Sequence, residues 1–242
     1  MILNKCRLCK SKKLFQFLDL GFHPPSDQFK RKVELNNPTI YYPLKICNCI
    51  SCGFKQLNYV VEPKILYQRN YPYESSLTKT GKKHWFEFAE STVKEYNLKN
   101  RELVVDIGSN TGVLLNAFKK NKLKIVGVDP APNICKIANK RGIPTINSFF
   151  NENTVKKILK KYGRAKIITG TNVFAHINNL DIFMKNIKKL IHKKEGVFVI
   201  EVPYFLHLVK SLEYDTIYHE HLSYITVIPL IKFLKKFNLQ II

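Results

Sequence analysis

The carboxyl half of the chain alternates between short apolar runs and segments whose apolar residues recur at helical spacing. The runs predict strands near residues 103–107, 124–128, 143–146, 165–170 and 196–202, with helices between them. Strands and helices that alternate at this spacing form a parallel sheet with helices on both faces. The pattern therefore predicts an α/β domain, in which ligands bind at the carboxyl ends of the strands.

The residues before this domain divide into a helical stretch and a cysteine-rich stretch. From residue 63 to about residue 98 the pattern is helical, with a buried stripe marked by Trp85, Phe86, Phe88, Ala89 and Val93. A polar and aromatic turn, residues 71–76, interrupts it, and loops of this composition often carry function. We expect three parts: a zinc-knuckle domain at 1–62, a helical connector at 63–100 and the α/β domain at 101–242.

Two Cys-x-x-Cys pairs, at residues 6–9 and 49–52, lie about forty residues apart in the amino-terminal part. Together they supply four thiolates, the ligand set of a structural Zn²⁺ site, and four thiolates leave no open position for catalysis. Disulfides are the weaker alternative in a reducing cytoplasm. Cys47 could replace Cys49, although x-x spacing before a glycine favours Cys49. The predicted zinc ligands are Cys6, Cys9, Cys49 and Cys52.

The first strand of the α/β domain ends in a turn that contains two glycines, Asp106-Ile107-Gly108-Ser109-Asn110-Thr111-Gly112. Glycine has no Cβ, so it adopts positive φ without steric penalty and lets the backbone approach a ligand closely. The second strand ends in Asp129, where a carboxylate can accept hydrogen bonds from both hydroxyls of a ribose. The turn is neither the Gly-x-Gly-x-x-Gly of dinucleotide-binding proteins nor a P-loop. We predict an adenosine pocket; the alternative is an ordinary turn between a strand and a helix.

Further candidate residues follow the later strands. Phe149 could cover an adenine ring, although a core position explains an aromatic residue there equally well. Asn172 ends the fourth strand, and His176 lies just beyond it. Residues 215–224 then bring two histidines, a glutamate and two tyrosines together, which is unfavourable to bury without function or hydrogen bonds. The alternatives to a catalytic role are a hydrogen-bonded loop clamp and a second metal site, and His-Glu-His lacks the i, i+4 histidine pair of a helical zinc site.

The net charge of +22 is typical of a nucleic-acid-binding protein. Lysine pairs such as those at 156–157 and 160–161, however, alternate with apolar residues at helical spacing throughout the chain, as on the solvated faces of helices. This distribution disfavours nucleic acid as the partner, and a small anionic substrate suits the charge equally well. The sequence shows no signal peptide and no apolar run of membrane-spanning length, so we expect a soluble, cytoplasmic protein that does not contact a membrane.

These motifs together resemble one family, the nucleotide-diphosphate-sugar C-methyltransferases. The shared features are the two Cys-x-x-Cys pairs, Tyr-x-Tyr-x-Ser-Ser at 71–76, Asp-Ile-Gly-Ser-Asn-Thr-Gly at 106–112, Gly-Val-Asp-Pro-Ala at 127–131, Gly-Ile-Pro-Thr at 142–145, Phe-Phe at 149–150, Asn-Val-Phe-Ala-His at 172–176 and Asp-Thr-Ile-Tyr-His-Glu-His at 215–221. The resemblance covers nearly all of the chain. It implies a class I methyltransferase, with a Rossmann-like parallel sheet and a small amino-terminal zinc-binding domain.

The resemblance also implies cofactors, substrate and roles. The cofactors are S-adenosylmethionine and structural Zn²⁺, and the substrate is a dTDP-linked 4-keto-deoxysugar. The residues expected to bind S-adenosylmethionine are Asp106, Gly108, Ser109, Asn110, Gly112, Asp129, Pro130, Phe149 and Asn172. Methylation of a carbon beside a ketone requires a base, and the resemblance assigns this role to His221, with Glu220 orienting a partner or the sugar. The expected hydrogen-bond donors to the enolate or the sugar are Tyr218, Tyr73 and His176.

The chain departs from the family pattern at three points. The family has Glu in place of Asp106 and Asp in place of Thr111, and both changes preserve the character of the turn. The family also has a further carboxyl-terminal domain, whereas this chain ends in an apparent sixth strand. We therefore expect the rest to be supplied by a separate chain, or the sequence to be a fragment. The competing functions are a methyltransferase of another small anion and a non-catalytic zinc-ribbon protein that binds nucleic acid.

Overall fold

The computed structural model describes residues 1–68 and 70–242 of the chain. In chain order the strands are β1 (Leu14–His23), β2 (Tyr42–Cys49), β3 (Lys55–Leu57), β4 (Leu103–Ile107), β5 (Lys124–Asp129), β6 (Thr145–Asn147), β7 (Ile167–Thr171), β8 (Val197–Glu201) and β9 (Ser223–Tyr224). The α-helices are α1 (Pro63–Tyr67), α2 (Lys79–Glu95), α3 (Val113–Lys120), α4 (Pro132–Lys140), α5 (Glu152–Tyr162), α6 (Leu180–Leu190), α7 (Phe205–Ser211) and α8 (Val227–Lys235). Short 3-10 helices cover Lys32–Glu34, Phe174–His176 and Tyr214–Thr216. No helix in the two described ranges is long and apolar enough to cross a bilayer.

The chain folds into two compact units, and each is built from segments that are distant in sequence. Unit 1 comprises Met1–Leu66, Phe174–Asp181 and Val202–Ile242, and unit 2 comprises Tyr67–Val173 and Ile182–Glu201. The predicted boundaries at 1–62, 63–100 and 101–242 stay a prediction. What the sequence pattern did not indicate is that two later segments pack with the amino-terminal residues.

Unit 2 contains the predicted parallel sheet, in the order β6-β5-β4-β7-β8, with all four strand pairs parallel. This confirms the α/β fold class. The first two strands begin at the predicted residues, and the other three begin within two residues of the predicted starts. Every residue of the central strand β4 is buried, as expected for a parallel strand covered on both faces.

The helices of unit 2 follow their amphipathic patterns. Thr78 caps α2 by accepting the Gly81 N–H through its side chain at 3.0 Å, and α2 then packs Ala89 into the core beside β4 and α3. Trp85, Phe86, Phe88 and Val93 of the predicted stripe lie partly buried against the same core. In α5 the lysines at 156–157 and 160–161 are exposed while Val155 and Ile158 are buried, which fits the solvated-face interpretation of the charge.

Unit 1 is organised around an antiparallel sheet in the order β1-β2-β3-β9. Its last strand comes from the carboxyl-terminal part of the chain, because Gln56 of β3 pairs with Ser223 of β9. Leu44, Ile46 and Leu57 form the core of this unit with Tyr224 and other apolar residues. The short strand β9 therefore fixes the end of residues 215–224, called the histidine-rich segment below, to the amino-terminal sheet.

Candidate active site

The glycine turn of unit 2 has the geometry that the sequence predicts. Gly108 and Gly112 have φ values of +68° and +78°, in the left-handed region that other residues rarely adopt. A Cβ on Gly108 would lie 2.1 Å from Cγ2 of Val173, and one on Gly112 would lie 2.7 Å from Cγ2 of Ile143. Both positions therefore require glycine for packing as well as for conformation.

Asp106 lies at the end of β4 with 2% of its surface exposed. Its carboxylate accepts a hydrogen bond of 2.7 Å from the hydroxyl of Thr169, a residue of β7 that the sequence analysis did not single out. Burial raises the pKa of Asp106 to about 7, the nearby Asp129 adds to the increase, and the Thr169 hydrogen bond opposes it. The carboxyl group of Asp106 therefore loses its proton near neutral pH.

Asp129 is held by the backbone of the two turns that flank it. Its Oδ2 accepts the N–H of Asn110 and its Oδ1 accepts the N–H of Ala131, both at 2.9 Å. Burial raises the pKa of Asp129, and these two N–H groups oppose the increase. Each carboxylate oxygen can accept two hydrogen bonds, so each keeps capacity for a ribose hydroxyl.

Asn110 connects the glycine turn to the aromatic loop at 71–76. Its Oδ1 accepts the N–H of Ser75 at 2.9 Å, and its Nδ2 donates to the carbonyl of Tyr73 at 3.0 Å. Asn133 of α4 makes a second pair of bonds to the same loop, accepting the N–H of Tyr71 at 3.0 Å and donating to its carbonyl at 2.8 Å. Asn133 was missed by the sequence analysis, because nothing local to α4 indicates that a loop sixty residues upstream docks there.

The other predicted cofactor residues also belong to unit 2. Ser109 is buried, and its Oγ makes no hydrogen bond to any described residue. Asn172 has a φ of 56° and donates its N–H to the carbonyl of Glu201 at 2.7 Å. Pro130 and Phe149 are both partly exposed, so the geometry of Phe149 leaves open both the adenine contact and the core position.

The histidine-rich segment lies in unit 1, and its hydrogen bonds define the protonation of His221. Nδ1 of His221 lies 2.7 Å from the carbonyl oxygen of Thr216, and Nε2 lies 2.9 Å from the hydroxyl of Tyr218. A carbonyl only accepts, so Nδ1 carries the proton, and in the neutral ring Nε2 accepts the Tyr218 O–H. Burial lowers the pKa of His221, partly offset by the Thr216 carbonyl, which keeps the ring neutral at pH 7.

The remaining predicted catalytic residues divide between the units. The ring centroid of His176 lies 5.1 Å from that of His221, and burial, reinforced by His221, lowers the pKa of His176 to about 3. Glu220 is 1% exposed. Tyr73 belongs to unit 2, and its side chain is 57% exposed. His219 donates from Nε2 to the carbonyl of Tyr42 at 3.2 Å, so the loop-clamp interpretation fits this histidine.

The four cysteines predicted to bind zinc lie together in unit 1, with their sulfur atoms all within 4.8 Å of one another. Cys6 Sγ and Cys52 Sγ are 3.6 Å apart, and Cys9 Sγ and Cys49 Sγ are 3.5 Å apart. A tetrahedral zinc with Zn–S bonds of about 2.3 Å requires sulfur separations of about 3.8 Å. These thiols therefore fit a zinc ion. Their sulfur–sulfur separations are far longer than the S–S bond of a disulfide, which is about 2.05 Å. Cys47 does not belong to this group.

Arg7, between the first two of these cysteines, is a buried residue that the sequence analysis overlooked. It is 5% exposed, and its guanidinium donates to the carbonyl of Leu222 at 2.9 Å and to the hydroxyl of Ser223 at 2.6 Å. It also donates to the carbonyls of Ile177 and Asn178. An arginine inside a Cys-x-x-Cys pair gives no sequence signal of such long-range contacts.

Unit 2 has the parallel sheet of the class I methyltransferase fold, and unit 1 contains four thiols arranged to fit a zinc ion. Residues 6–67 match the family model described as "Putative zinc binding domain", and residues 82–242 match the one described as "Methyltransferase domain". The second match covers most of the chain, which therefore belongs to the methyltransferase-domain family.

Individual relatives agree with this assignment. C-methyltransferase NovU from Streptomyces niveus is 30% identical over 240 residues, which cover 99% of this chain and 57% of NovU. The chain thus spans 57% of the length of this curated relative. The plantazolicin methyltransferase BpumL, solved with SAH, is 16% identical with a TM-score of 0.50, over 64% of this chain and 63% of BpumL. A chain in the complex of the Haloferax volcanii Trm112 methyltransferase activator with a methyltransferase is 14% identical with a TM-score of 0.51, over 68% of this chain and 74% of that one. The two structural likenesses show the fold.

Proposed function

We propose that this chain transfers a methyl group from S-adenosylmethionine to a carbon of a nucleotide-linked keto-deoxysugar, through an enolate generated by a base. The observation that carries the proposal is the hydrogen-bonded series Tyr218, His221 and Thr216. Oxygen and nitrogen acceptors already have a nucleophilic lone pair, whereas a carbon beside a ketone must first lose a proton. The relative NovU is named as a C-methyltransferase, which supports the proposal that the site uses such a base.

The residues at the carboxyl ends of the unit 2 strands are proposed to hold the cofactor. Asp129 would accept the ribose hydroxyls, with Asp106, Gly108 and the rest of the turn at the amino-acid part. The other residues proposed to contact it are Ser109, Asn110, Gly112, Pro130, Phe149 and Asn172. A buried Ser109 hydroxyl without a described partner and two glycines without room for a Cβ support a ligand that lies close to the backbone. S-adenosylmethionine, when bound, supplies an electrophilic methyl group on a sulfonium.

The proton transfer is proposed to use Tyr218 and His221 as one unit. Nε2 of neutral His221 accepts the phenol proton while the phenol oxygen takes the proton from the carbon beside the ketone. The C–H electron pair becomes the enolate, and the proton gained by the pair resides on the imidazole. The Thr216 carbonyl, bonded to Nδ1 at 2.7 Å, stabilises the imidazolium that results. The enolate carbon would then be the nucleophile toward the methyl group of bound S-adenosylmethionine, whose methyl–sulfur bond would break as the C–C bond forms.

The other polar residues are proposed to stabilise or orient the sugar. His176 is neutral, so it adds no positive charge to repel an imidazolium on His221, and it can donate one N–H to the enolate oxygen. Tyr73 and Glu220 are assigned to sugar hydroxyls, as a donor and as an orienting group respectively. The net charge of +22 attracts polyanions, so a substrate that carries a nucleotide diphosphate suits the electrostatic field of this protein. A further carboxyl-terminal domain, supplied with or separately from this chain, stays a prediction.

Zinc is proposed to be structural, held by Cys6, Cys9, Cys49 and Cys52. Four thiolates fill a tetrahedral shell, so this ion would stabilise the fold of unit 1 and would have no position for a substrate.

Incubation of the chain with S-adenosylmethionine and a dTDP-linked 4-keto-deoxysugar in D₂O tests the proposal. We expect the product to gain the mass of one methyl group, attached to a ring carbon by NMR, and the unreacted sugar to exchange its α-proton for deuterium. Methylation at oxygen without exchange would support the methyltransferase of another small anion instead. Tight RNA or DNA binding at physiological salt, with no methyl transfer, would support the nucleic-acid alternative.

A further inference from the structure

The guanidinium of Arg7 joins the two chain segments that carry the paired histidines. Its acceptors Ile177 and Asn178 directly follow His176 in the chain. Its acceptors Leu222 and Ser223 directly follow His221. A planar guanidinium with five N–H donors in fixed directions can bond both segments at once, which fixes their separation. One side chain thus joins the segments that carry the two imidazole rings, whose centroids are 5.1 Å apart.

The backbone of Arg7 is anchored to the same region. Its N–H donates to Oε1 of Gln56 at 2.8 Å, and Gln56, which is fully buried, also donates from Nε2 to the carbonyl of Lys5 at 3.2 Å. Gln56 in turn pairs with Ser223 across β3 and β9. The cysteine knuckle at residues 6–9 is therefore fixed to the strand that follows the histidine-rich segment.

The charge of Arg7 requires a partner. All four acceptors of its guanidinium are neutral, and none of the ion pairs found among residues 1–68 and 70–242 includes Arg7. A buried cation is unfavourable unless an anion compensates it. Arg7 lies in the chain between Cys6 and Cys9, two of the four thiols that fit zinc. A zinc ion with four thiolate ligands carries a net negative charge, which would supply that anion.

We propose that Arg7 is a positioning residue that couples the zinc knuckle to the histidine pair: its cation compensates the zinc–thiolate cluster, and its five N–H donors set the spacing of His176 and His221. Only the effect on methyl transfer rests on the proposed function. The coupling itself concerns zinc affinity and imidazole environments, which are measured without a substrate.

Two substitutions separate the charge of Arg7 from its geometry. In Arg7→Met the charge is lost, and we expect zinc affinity, measured in metal-buffered solutions, to fall roughly 10- to 100-fold, as for other groups around a metal's ligands. Arg7→Lys keeps the charge but not the planar fork, so zinc affinity should fall less. In Arg7→Lys the imidazole ¹H–¹⁵N signals of His176 and His221 should nevertheless shift. The kcat of this variant should fall, while its affinity for S-adenosylmethionine stays unchanged. Lys12→Met, which removes an exposed cation from the same loop, is the matched control.

The proposal is overturned if both Arg7 variants match Lys12→Met in zinc affinity and in the two imidazole signals. Should either variant fail to fold, chelation of zinc from the wild-type protein gives a second test. The signals of His176 and His221 should then move before those of His84 and His192 in unit 2, and unchanged signals would contradict the coupling. If wild-type protein transfers no methyl group but Arg7→Met loses zinc and shifts both signals, the proposed function fails and the coupling stands.

Discussion

The two candidate sites are built in opposite ways. In unit 2 the charged groups are carboxylates, and Asp129 is held by backbone N–H groups from Asn110 and Ala131, close to it in the strand-end turns. In unit 1 the groups proposed to react are imidazoles and a phenol, and the segments that carry the imidazoles are joined by Arg7, far away in sequence. A site made by turns depends on local conformation, whereas a site made by long-range side-chain contacts depends on the whole unit. Substitutions should therefore affect the two sites independently.

The largest effect is expected from removal of the zinc ligands. Cys6→Ser combined with Cys9→Ser should abolish zinc binding and unfold unit 1, because structural zinc contributes roughly 10–16 kcal/mol of apparent free energy in small zinc-binding domains. Unit 2, which has its own core, should still bind S-adenosylmethionine. Metal analysis, limited proteolysis and calorimetry measure these outcomes. Cys47→Ser is the control, since Cys47 is outside the group of four. Undiminished zinc in the double variant, or equal loss in Cys47→Ser, would contradict the ligand assignment.

The next effect concerns the Tyr218 and His221 pair. His221→Asn and Tyr218→Phe should each lower the rate of methyl transfer by roughly 10²- to 10⁴-fold, the usual contribution of general-base catalysis. The exchange of the sugar's α-proton with D₂O should slow in parallel, while calorimetry shows the same cofactor affinity as in the wild type. His207→Asn, at an exposed histidine of unit 1, controls for loss of an imidazole. Full turnover and exchange in His221→Asn would move the role of base to His176 or to Tyr218 alone.

Loss of the Asp129 carboxylate should weaken cofactor binding and leave proton exchange intact, the reverse of the result expected for His221→Asn. Asp129→Ala removes the carboxylate proposed to accept the ribose hydroxyls, and we expect S-adenosylmethionine binding to weaken by roughly 1.5–3 kcal/mol, the value of hydrogen bonds to a charged acceptor. With saturating cofactor, α-proton exchange should persist, because the proposed base belongs to unit 1. Glu90→Ala, at an exposed acid of unit 2, is the control in the same calorimetric assay. NAD should not bind measurably; tight NAD binding would mean that the glycine turn has been misinterpreted.

The same contrast explains how far the sequence could be interpreted. The parallel sheet was predictable because its central strands are buried on both faces and appear as continuous apolar runs. Strand β9 was not, since two residues, Ser223 and Tyr224, carry no periodic pattern and gain their partner only when Gln56 lies beside them. The glycine turn was visible because its residues are contiguous. Thr169, Asn133 and Arg7 were missed because their contacts connect residues more than sixty positions apart.

The smallest effect concerns the proton on Asp106, and it tests whether the cofactor lies beside that carboxyl group. Burial raises the pKa of Asp106 to about 7, far above the ordinary value of 3.8. Between pH 3.8 and about 7 the native state therefore binds more protons than the unfolded state. The contribution of Asp106 to the free energy of unfolding is accordingly greatest below pH 3.8 and is lost as the pH rises through about 7. S-adenosylmethionine carries net positive charge, and a nearby positive charge favours the carboxylate.

Cofactor binding should consequently release part of a proton at pH 6 to 7, and none well above pH 7, where Asp106 is already ionised in the free protein. Calorimetry in two buffers of different ionisation enthalpy measures this release. Asp106→Asn should abolish it. Thr169→Val, which removes the 2.7 Å hydrogen bond that favours the carboxylate, should move the release to higher pH. An equal release in Asp106→Asn would assign the proton to another group, and the proposed position of the cofactor beside Asp106 would then lose this support.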